Sequence, residues 1–463
     1  MVLTADYNTS TMDTESAYYQ ALDYLYSFVD YSLKKASELA KADFNLGRML
    51  ALMAALGSPE QEYPILHVAG TKGKGSTSAL MASALQAAGY RTGLYISPHL
   101  QDFVERIQVN GKPVSHAGLV ELVEEIKPVV ARIPKLTTFE ITTALGFLHF
   151  ARQKVGAAVI EVGLGGRLDA TNVVTPRVSV ITSLSYDHMA VLGNTLTAIA
   201  GEKAGIIKEG VPVVSSLQKD EALAVLERVA KERHAPLTLV GRGITFESGK
   251  HSLGGQFFSI VNTLRVRCRK SKIPSGDDVV NPVILRIPLL GEHQVVNAAT
   301  AYAALKASGL GISDEAIQKG FAAVSWPCRF EIVRHEPPVV IDSAHNADSA
   351  RRLRQALDDY FPGWPVIWIF AILEDKDAAG MLTELAPRLT QVIATQADHP
   401  RALEVEKIVV LAQQAGIPVE AVKSPSAALA RALELASDHA IVLSAGSVAF
   451  AGEVKTAWQK LDL

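Results

Sequence analysis

The segment that most constrains the fold is the glycine-rich GTKGKGS at 70–76, which lies between an apolar run at Ile65–Ala69 and an almost uncharged helical pattern at Thr77–Ala88. A strand, a glycine loop and a helix in this order are typical of a phosphate-binding loop. Backbone N–H groups can turn inward around phosphate oxygens, and the helix N-terminus adds a partial positive charge. A flexible surface turn is the alternative, but two lysines and three glycines in this context favour the phosphate loop.

The spacing within this loop predicts roles for individual side chains. Lys74 is expected to reach the β- and γ-phosphates, and the hydroxyl of Ser76 or Thr77 to approach a magnesium ion. Gly75 separates Lys74 from Ser76, so the loop is a compact variant of the standard pattern. The loop predicts a nucleotide but no reaction, because switches, motors and ligases all carry one.

Short apolar runs alternate with longer amphipathic ones along most of the chain, which predicts an α/β fold built on parallel sheets. Beyond Ile65–Ala69, the clearest predicted strands are Ala157–Val162, Val178–Thr182, Val339–Ile341, Val366–Phe370, Val392–Ala394 and Ile441–Leu443. From Gly241 to Leu290 the sequence alternates and is punctuated by glycine, which predicts a small antiparallel sheet added to the edge of the first domain.

A proline predicts where the chain divides. Ser325-Trp326-Pro327 follows a helical pattern, and proline there ends the helix and marks an inter-domain linker. We therefore expect a P-loop NTPase-like domain at 17–326, with a parallel sheet and the small antiparallel sheet, and a smaller Rossmann-like domain at 327–463. Residues 1–16 are polar and are expected to form a disordered tail.

Composition excludes several classes of protein. Lys and Arg number 45 against 48 Asp and Glu, and this balance argues against a protein that coats nucleic acid. The basic tract Arg265–Lys272 has no interleaved aromatic residues and is expected to be an exposed strand and loop. Cys268 and Cys328 make no disulfide framework and lack zinc-ligand spacing. No apolar run approaches the about 20 residues that cross a bilayer, so we expect a soluble cytoplasmic protein without a membrane partner.

Polar side chains near the ends of predicted strands are candidates for ligand binding, because ligands collect at such ends in open α/β sheets. Glu161 lies in an otherwise apolar strand, where a magnesium role competes with a salt bridge to Arg167. His188 follows the next strand, and alone it would be a satisfied polar residue. Lys203 lies in a helical pattern, where a solvated helix face is the simpler interpretation and a carbamylated, metal-binding lysine the alternative.

The second half of the chain carries a further set of candidates. Asn297 lies on a predicted helix, Arg329 follows the linker proline, and Asp342 and His345 follow a predicted strand. These residues could close a lid over a nucleotide, with Arg329 stabilising the charge of a transferring phosphoryl group. A surface turn with a helix cap is the alternative.

Together these segments resemble one family, the folylpolyglutamate synthase and dihydrofolate synthase branch of the Mur ligase superfamily. The resemblance runs from about Tyr31 to the C-terminus and is carried, in order, by HVAGTKGKGST, YISPHLQDFVERIQVNG, TTFEITTALGF, VIEVGLGGRLDATN, DHMAVLG, EKAGIIK, HQVVNAATA, WPCRFE, DSAHN, LEDKD and SAGS. YISPHL separates the folate branch from the ligases that build cell-wall precursors.

The resemblance implies an ATP-dependent ligase with a central ATP-binding domain and a C-terminal glutamate-binding domain. In such a ligase a substrate carboxylate attacks the γ-phosphate to give an acyl phosphate and ADP, and the amino group of L-glutamate then displaces phosphate. The implied substrates are dihydropteroate and tetrahydrofolates. The implied cofactors are ATP and Mg²⁺ at two sites. We expect a monomer with no nucleic-acid partner.

The resemblance also implies roles for individual residues. The implied ATP contacts are Gly70, Thr71, Gly73, Lys74, Gly75, Ser76, Asn297, Arg329 and Asp342. Ser97 and Glu161 are expected to hold one magnesium ion and His188 the second, and Lys203 matches a carbamylated lysine (N6-carboxylysine), which replaces the solvent-face interpretation. The expected catalytic residues are Lys74, Lys203, Asp342 and His345, the last as an orienting group or proton acceptor. The pterin is expected to lie against Leu46, Gly47, Thr137, Thr138, Phe139, Glu140, Arg167, Leu168 and Asp169.

The chain departs from the family pattern at a few positions. Cys328 and Ser343 each stand where glycine is usual, and Lys72 stands where bacterial relatives commonly have Asn. These changes concern local geometry more than activity.

Three alternatives remain open. The nearest is an enzyme that only extends the polyglutamate chains of folates and does not make dihydrofolate. A cell-wall Mur ligase would need a UDP-binding domain before the phosphate loop, and the 64 residues ahead of the first strand are too few for one. A P-loop switch would leave DSAHN, LEDKD and the second domain unexplained.

Overall fold

The computed structural model describes residues 7–30, 34, 44–262, 282–436 and 440–461. Its helices are α1 (Tyr7–Tyr26), α2 (Leu46–Ala55), α3 (Lys74–Ala87), α4 (His116–Val130), α5 (Thr138–Arg152), α6 (Met189–Leu192), α7 (Leu196–Ala204), α8 (Asp220–Glu232), α9 (Glu292–Ala307), α10 (Asp314–Ala323), α11 (Ala347–Tyr360), α12 (Ala378–Leu385), α13 (Val405–Gln414), α14 (Pro425–Leu435) and α15 (Val448–Gln459). The predicted basic tract Arg265–Lys272, with Cys268, lies outside the described residues.

The strands, in chain order, are β1 (Ile65–Ala69), β2 (Thr92–Tyr95), β3 (Ile107–Val109), β4 (Lys112–Pro113), β5 (Ala157–Glu161), β6 (Val178–Ile181), β7 (Val213–Ser215), β8 (Leu237–Leu239), β9 (Ile244–Ser252), β10 (Gly255–Asn262), β11 (Val283–Ile287), β12 (Glu331–His335), β13 (Pro338–Ile341), β14 (Val366–Phe370), β15 (Leu389–Ala394), β16 (Val419–Ala421) and β17 (Ile441–Ala445).

The first sheet has the strand order β4-β3-β2-β5-β1-β6-β7-β8. It is parallel from β2 to β8, and β3 and β4 form an antiparallel edge. Strands β1, β5 and β6 are buried along their whole length, as expected for apolar strands covered by helices on both faces. Strand β1 lies at the centre, and the phosphate loop leaves from its carboxyl end.

The segment predicted to be antiparallel forms a separate three-stranded sheet, β11-β10-β9, so the predicted small antiparallel sheet is confirmed. It packs against α9 and α10. Phe258 and Leu285 of this sheet join the apolar cluster that also contains α3, α9 and α10.

The second half of the chain forms a six-stranded sheet in the order β12-β13-β17-β14-β15-β16, parallel except for β12. Apolar side chains of α11, α12 and α13 cover one face, and those of α14 and α15 the other. The predicted α/β class, with a smaller Rossmann-like sheet in the second half, is confirmed. No helix in the described ranges combines the length and the apolar composition that crossing a bilayer requires.

The predicted disordered tail is wrong for the residues that the structure describes, because α1 begins at Tyr7. Tyr18, Ala21 and Leu25 are buried in the cluster that α4 and α5 also line. Their spacing of three and four residues places them on one helical face, which packs although the rest of the helix is polar. The Tyr18 ring also stacks on His116, with the ring centroids 3.7 Å apart.

Candidate active site

The phosphate loop is fixed to the end of the neighbouring strand β6. The backbone N–H groups of Thr71 and Lys72 both donate to the carbonyl oxygen of Ser183, each at 3.0 Å. Gly73, at φ +85°, precedes α3, and a left-handed backbone of this kind favours glycine. Helix α3 begins at Lys74 rather than at Thr77, so its N-terminus lies directly at the loop, as anion binding requires.

Two glycines in this loop allow close approach of residues from the second half of the chain. A Cβ atom on Gly73 would lie 2.9 Å from Cγ of Asn297, and one on Gly75 would lie 2.8 Å from Cζ2 of Trp326. The structure therefore brings Asn297 and the linker tryptophan to the phosphate loop, as the sequence predicts for Asn297.

Glu161 ends β5, beside β1, and is 5% exposed. Its carboxylate lies 3.9 Å from the Lys74 ammonium, and the Ser97 backbone also lies close enough to favour its ionised form. Burial raises the pKa of the Glu161 carboxyl to about 7, although Lys74 and Arg329 oppose the shift. The alternative salt bridge from Glu161 to Arg167 is wrong, because the Arg167 guanidinium pairs with Glu202 at 2.9 Å.

Lys203 lies on α7 and is 5% exposed, so the interpretation of a solvated helix face is wrong. Burial and, to a smaller extent, the nearby Lys74 ammonium lower the pKa of its amino group to about 7. A lysine in this environment is largely neutral at slightly alkaline pH.

Asp187 joins the two halves of the chain. Its Oδ2 lies 3.1 Å from Lys72 Nζ, in the phosphate loop, and its Oδ1 lies 2.9 Å from Lys376 Nζ, in the loop after β14. Burial opposes ionisation of Asp187, but His345 and the two ammonium groups hold the pKa of its carboxyl well below the ordinary range. His188, at φ +50°, follows it with a partly exposed ring whose Nε2 lies 3.9 Å from Asp187 Oδ1.

His345 is held in one orientation at this junction. Its Nδ1 lies 2.9 Å from the Ser343 carbonyl oxygen, which fixes the hydrogen on Nδ1, and its Nε2 accepts from Lys72 Nζ at 2.8 Å. Burial and the Lys72 ammonium lower the pKa of His345 to about 4. The imidazole is therefore neutral near pH 7, with the Nε2 lone pair facing the phosphate loop.

Sequence reasoning missed Lys72, Asp187 and Lys376 as a connected set. Lys72 and Asp187 are 115 positions apart, and Lys376 is 189 positions from Asp187, so no local spacing links them. The available signals were the acidic residue directly before His188 and the lysine within LEDKD.

Arg329 lies in a tight turn between two residues with left-handed backbone, Cys328 at φ +56° and Phe330 at φ +49°. The Asp342 carboxylate accepts from the Phe330 N–H at 2.8 Å and the Ala344 N–H at 2.7 Å. The φ of Cys328 explains why glycine is usual there.

Ser343 also acquires a physical role at this turn. Its hydroxyl accepts from the Arg329 guanidinium at 2.6 Å and donates to the Cys328 carbonyl at 2.9 Å. The departure from glycine therefore adds hydrogen bonds that hold Arg329 in place.

The segments predicted to contact the pterin are the starts of α2 and α5 and the loop after β5. At the start of α5, Thr137 and Glu140 form a capping box, and Glu140 also pairs with Arg48 of α2 at 3.0 Å. Asp169 accepts from the backbone of Leu164 and Thr171. These two carboxylates are thus bound within the protein.

The remaining predicted pterin contacts lie on the same segments. Leu46 and Gly47 begin α2 behind the Asn45 cap, and Thr138 donates its hydroxyl to the Leu25 carbonyl at 2.9 Å. The Phe139 ring lies against Gly163, where a Cβ atom would be 2.9 Å from Phe139 Cε2.

Comparison with known proteins agrees with this arrangement. The family model of the Mur ligase middle domain matches residues 68–305, and that of the Mur ligase glutamate ligase domain matches residues 328–448. The fold is thus that of a Mur ligase.

The most similar proteins narrow the class further. Dihydrofolate synthase/folylpolyglutamate synthase of Bacillus subtilis is 40% identical over 367 residues, which cover 77% of this chain and 82% of that protein. The structure of Mycobacterium tuberculosis folylpolyglutamate synthase complexed with ADP has a TM-score of 0.86 at 33% identity and covers 96% of this chain and 99% of that one. The structure of E. coli FolC in complex with DHPP and ADP has a TM-score of 0.81 at 31% identity and covers 96% of this chain and 97% of that one. The chain belongs to the dihydrofolate synthase/folylpolyglutamate synthase family, as the sequence motifs predict.

Proposed function

We propose that the protein is an ATP-dependent ligase that adds L-glutamate to 7,8-dihydropteroate and to reduced folates through an acyl phosphate. The observation that carries this proposal is the junction at Asp187. Here the phosphate loop meets His345 and Lys376, which lie in loops after strands of the six-stranded sheet. A two-step ligation needs a phosphoryl donor on one side of the site. On the other side it needs groups that position the incoming amine. The names of the relatives support the reaction. Those of Bacillus subtilis and Escherichia coli are named dihydrofolate synthase/folylpolyglutamate synthase, and that of Lacticaseibacillus casei is named folylpolyglutamate synthase alone.

ATP is proposed to bind between the two sheets. The backbone of the loop from Gly70 to Ser76 surrounds the phosphates, and Lys74 neutralises the γ-phosphate charge. Asn297 and Arg329 complete the site, and the buried Asp342 holds the turn that carries Arg329. We take 17–326 and 327–463 as the two domains that close on the nucleotide.

The residues present fit magnesium. In the described ranges no three His, Cys, Asp or Glu side chains cluster as a metal site. Magnesium bound with a nucleotide needs few protein atoms, because phosphate and water oxygens supply the rest. Ser97 and the buried Glu161 would hold one ion and His188 a second, and the metal would neutralise the charge that develops on the phosphates.

Lys203 is proposed to carry a carbamate. A neutral buried amine can add carbon dioxide, and the product replaces a buried positive charge near Lys74 with a negative one. The result is an oxygen ligand near His188, whose pKa the Lys203 ammonium helps to lower.

The chain's own groups then act by positioning and by electrostatic stabilisation rather than by covalent attack. Lys74 and Arg329 stabilise the charge that develops as the acceptor carboxylate bonds to the γ-phosphate. His345 Nε2, which accepts from Lys72 Nζ in this structure, would exchange that partner for the glutamate amine and act as an orienting group or proton acceptor as the amide bond forms. The pterin is proposed to lie against the starts of α2 and α5, in a monomeric cytoplasmic enzyme.

The test is ADP release with dihydropteroate, glutamate and ATP, together with mass spectrometry of the pteroyl product. Turnover that requires all three reactants and yields dihydrofolate is expected. ATP hydrolysis that is independent of both dihydropteroate and glutamate would contradict the proposal and favour a switch. Growth rescue of a strain lacking dihydrofolate synthase separates the bifunctional enzyme from one that only extends polyglutamate chains.

A further inference from the structure

The loop that carries Ser97 lies between β2 and the capped helical turn that precedes β3. At its start, the Ser97 backbone lies beside the buried Glu161 carboxylate and favours its ionised form. At its end, one carboxylate, Glu105, accepts from three consecutive backbone N–H groups: Leu100 at 2.7 Å, Gln101 at 3.1 Å and Asp102 at 3.0 Å. The loop from 97 to 102, here called the Ser97 loop, therefore has little freedom on this side.

The middle of the Ser97 loop contacts helix α15, which packs on one face of the six-stranded sheet. The Leu100 side chain packs against the apolar cluster that contains Phe450 and Val454. Gln101 donates its side-chain amide to Thr456 Oγ1 at 2.6 Å and to Gln459 Oε1 at 3.1 Å.

The backbone of Leu100 also lies directly on a buried glycine of this helix. A Cβ atom on Gly452 would overlap the Leu100 carbonyl oxygen and lie 2.8 Å from its carbon. Gly452 has no positive φ, so close approach, and not backbone conformation, is what requires glycine there.

We propose that helix α15 positions the Ser97 loop. Gly452 and Leu100 are the positioning residues through which the second domain fixes the location of Ser97. The inference rests on the proposed role of Ser97 beside Glu161. It goes beyond that role because it assigns part of the site's geometry to a helix that carries none of the proposed ligands. Closure of the two domains then completes the metal site as well as the nucleotide site.

The size of the expected effect follows from the contact. An alanine at 452 must move away from Leu100 until the distances reach the ordinary range of 3.4–4 Å, a displacement of about 1.4 Å for the carbonyl oxygen. A shift of about 1 Å at a reacting centre can reduce turnover by about 100-fold. Gly452→Ala is therefore expected to lower kcat by about 100-fold.

The test measures the loop itself as well as activity. Hydrogen exchange is followed in the full-length, ligand-free protein over a peptide spanning residues 97–106, alongside kcat and the melting temperature. Gly452→Ala and Leu100→Ala are compared with matched controls. Gly320→Ala introduces a similar overlap, 2.6 Å from the Ala84 nitrogen, but between α10 and α3. Leu433→Ala removes another partly buried leucine from the same apolar cluster, away from the loop.

We expect exchange in 97–106 to become about tenfold faster in Gly452→Ala and Leu100→Ala and to stay unchanged in both controls, even where the controls melt at lower temperature. If Gly452→Ala does not fold, Leu100→Ala decides the matter. Unchanged exchange in the two loop variants, with or without loss of activity, would overturn the inference. An inactive wild-type enzyme would instead contradict the proposed function, since the exchange measurement needs no turnover.

Discussion

Replacing Lys203 tests the most unusual group in the site. Lowering its pKa from 10.5 to about 7 means that the buried ammonium is disfavoured by about 5 kcal/mol relative to water. At pH 8 about nine in ten Lys203 amines are neutral, a population roughly 300-fold larger than for an exposed lysine. This neutral amine is the form that adds carbon dioxide.

Lys203→Met keeps the length and packing of the side chain and removes the amine. We expect ADP release to fall by roughly 100-fold or more, because the loss of a metal-site group usually costs at least this much. In Lys203→Ala, added short carboxylic acids are expected to restore part of the activity by occupying the place of the carbamate.

The assay for the modification is ¹³C NMR of protein equilibrated with ¹³C-bicarbonate at pH 8. The wild-type protein and Lys208→Met should each show a protein-bound carbamate signal, and Lys203→Met should not. Lys208 is a suitable control because it is near in sequence and partly buried, but its ammonium donates to the Asn172 carbonyl at 2.8 Å. Near-normal turnover in Lys203→Met, or an unmodified amine in a crystal grown at pH 8, would refute the reasoning.

The other predictions concern the phosphate loop, pH and the domain junction. Lys74→Ala should abolish turnover while circular dichroism shows an intact fold, and normal turnover would remove Lys74 from the phosphate site. The Mg²⁺ concentration for half-maximal ADP release should rise about tenfold for each pH unit below about 7, because protons compete for Glu161; a requirement that is flat with pH would contradict this. Asp187→Ala leaves Lys72 and Lys376 facing each other without their shared carboxylate, so solution scattering should show a larger radius of gyration without nucleotide. Unchanged scattering would argue against that junction as a link between domains.

The longer strands of the fold were predictable because β-branched and apolar runs of five or so residues are strong signals. Of the strands missed in sequence, β12 has five residues and β2 has four, but β7, β8 and β16 have only three each. Runs of that length carry no periodicity, and only pairing with a longer neighbour makes them strands. The start of helix α1, from Tyr7 to Ser16, was missed for a related reason, since this part is polar and the apolar face is formed by later residues such as Tyr18 and Leu25.

The candidate site was predictable where chemistry and local sequence coincide, as at Lys74, Asn297 and Glu161. The Asp187 junction was not, because it forms between loops that follow β1, β6, β13 and β14 and only the folded chain brings them together. The roles of Ser343 at the Arg329 turn and of Gly452 against Leu100 are also tertiary. A glycine in a helix has no sequence signal that distinguishes close approach from chance.

The most direct measurement of the central claim follows the oxygen atoms of the acceptor. Dihydropteroate labelled with ¹⁸O in its carboxylate is incubated with ATP, Mg²⁺ and glutamate, and the released phosphate is analysed by mass spectrometry. If the carboxylate bonds to the γ-phosphate before glutamate displaces it, one labelled oxygen appears in phosphate for each amide bond formed. Dihydrofolate formed with no label in the phosphate would contradict an acyl phosphate made between the two domains.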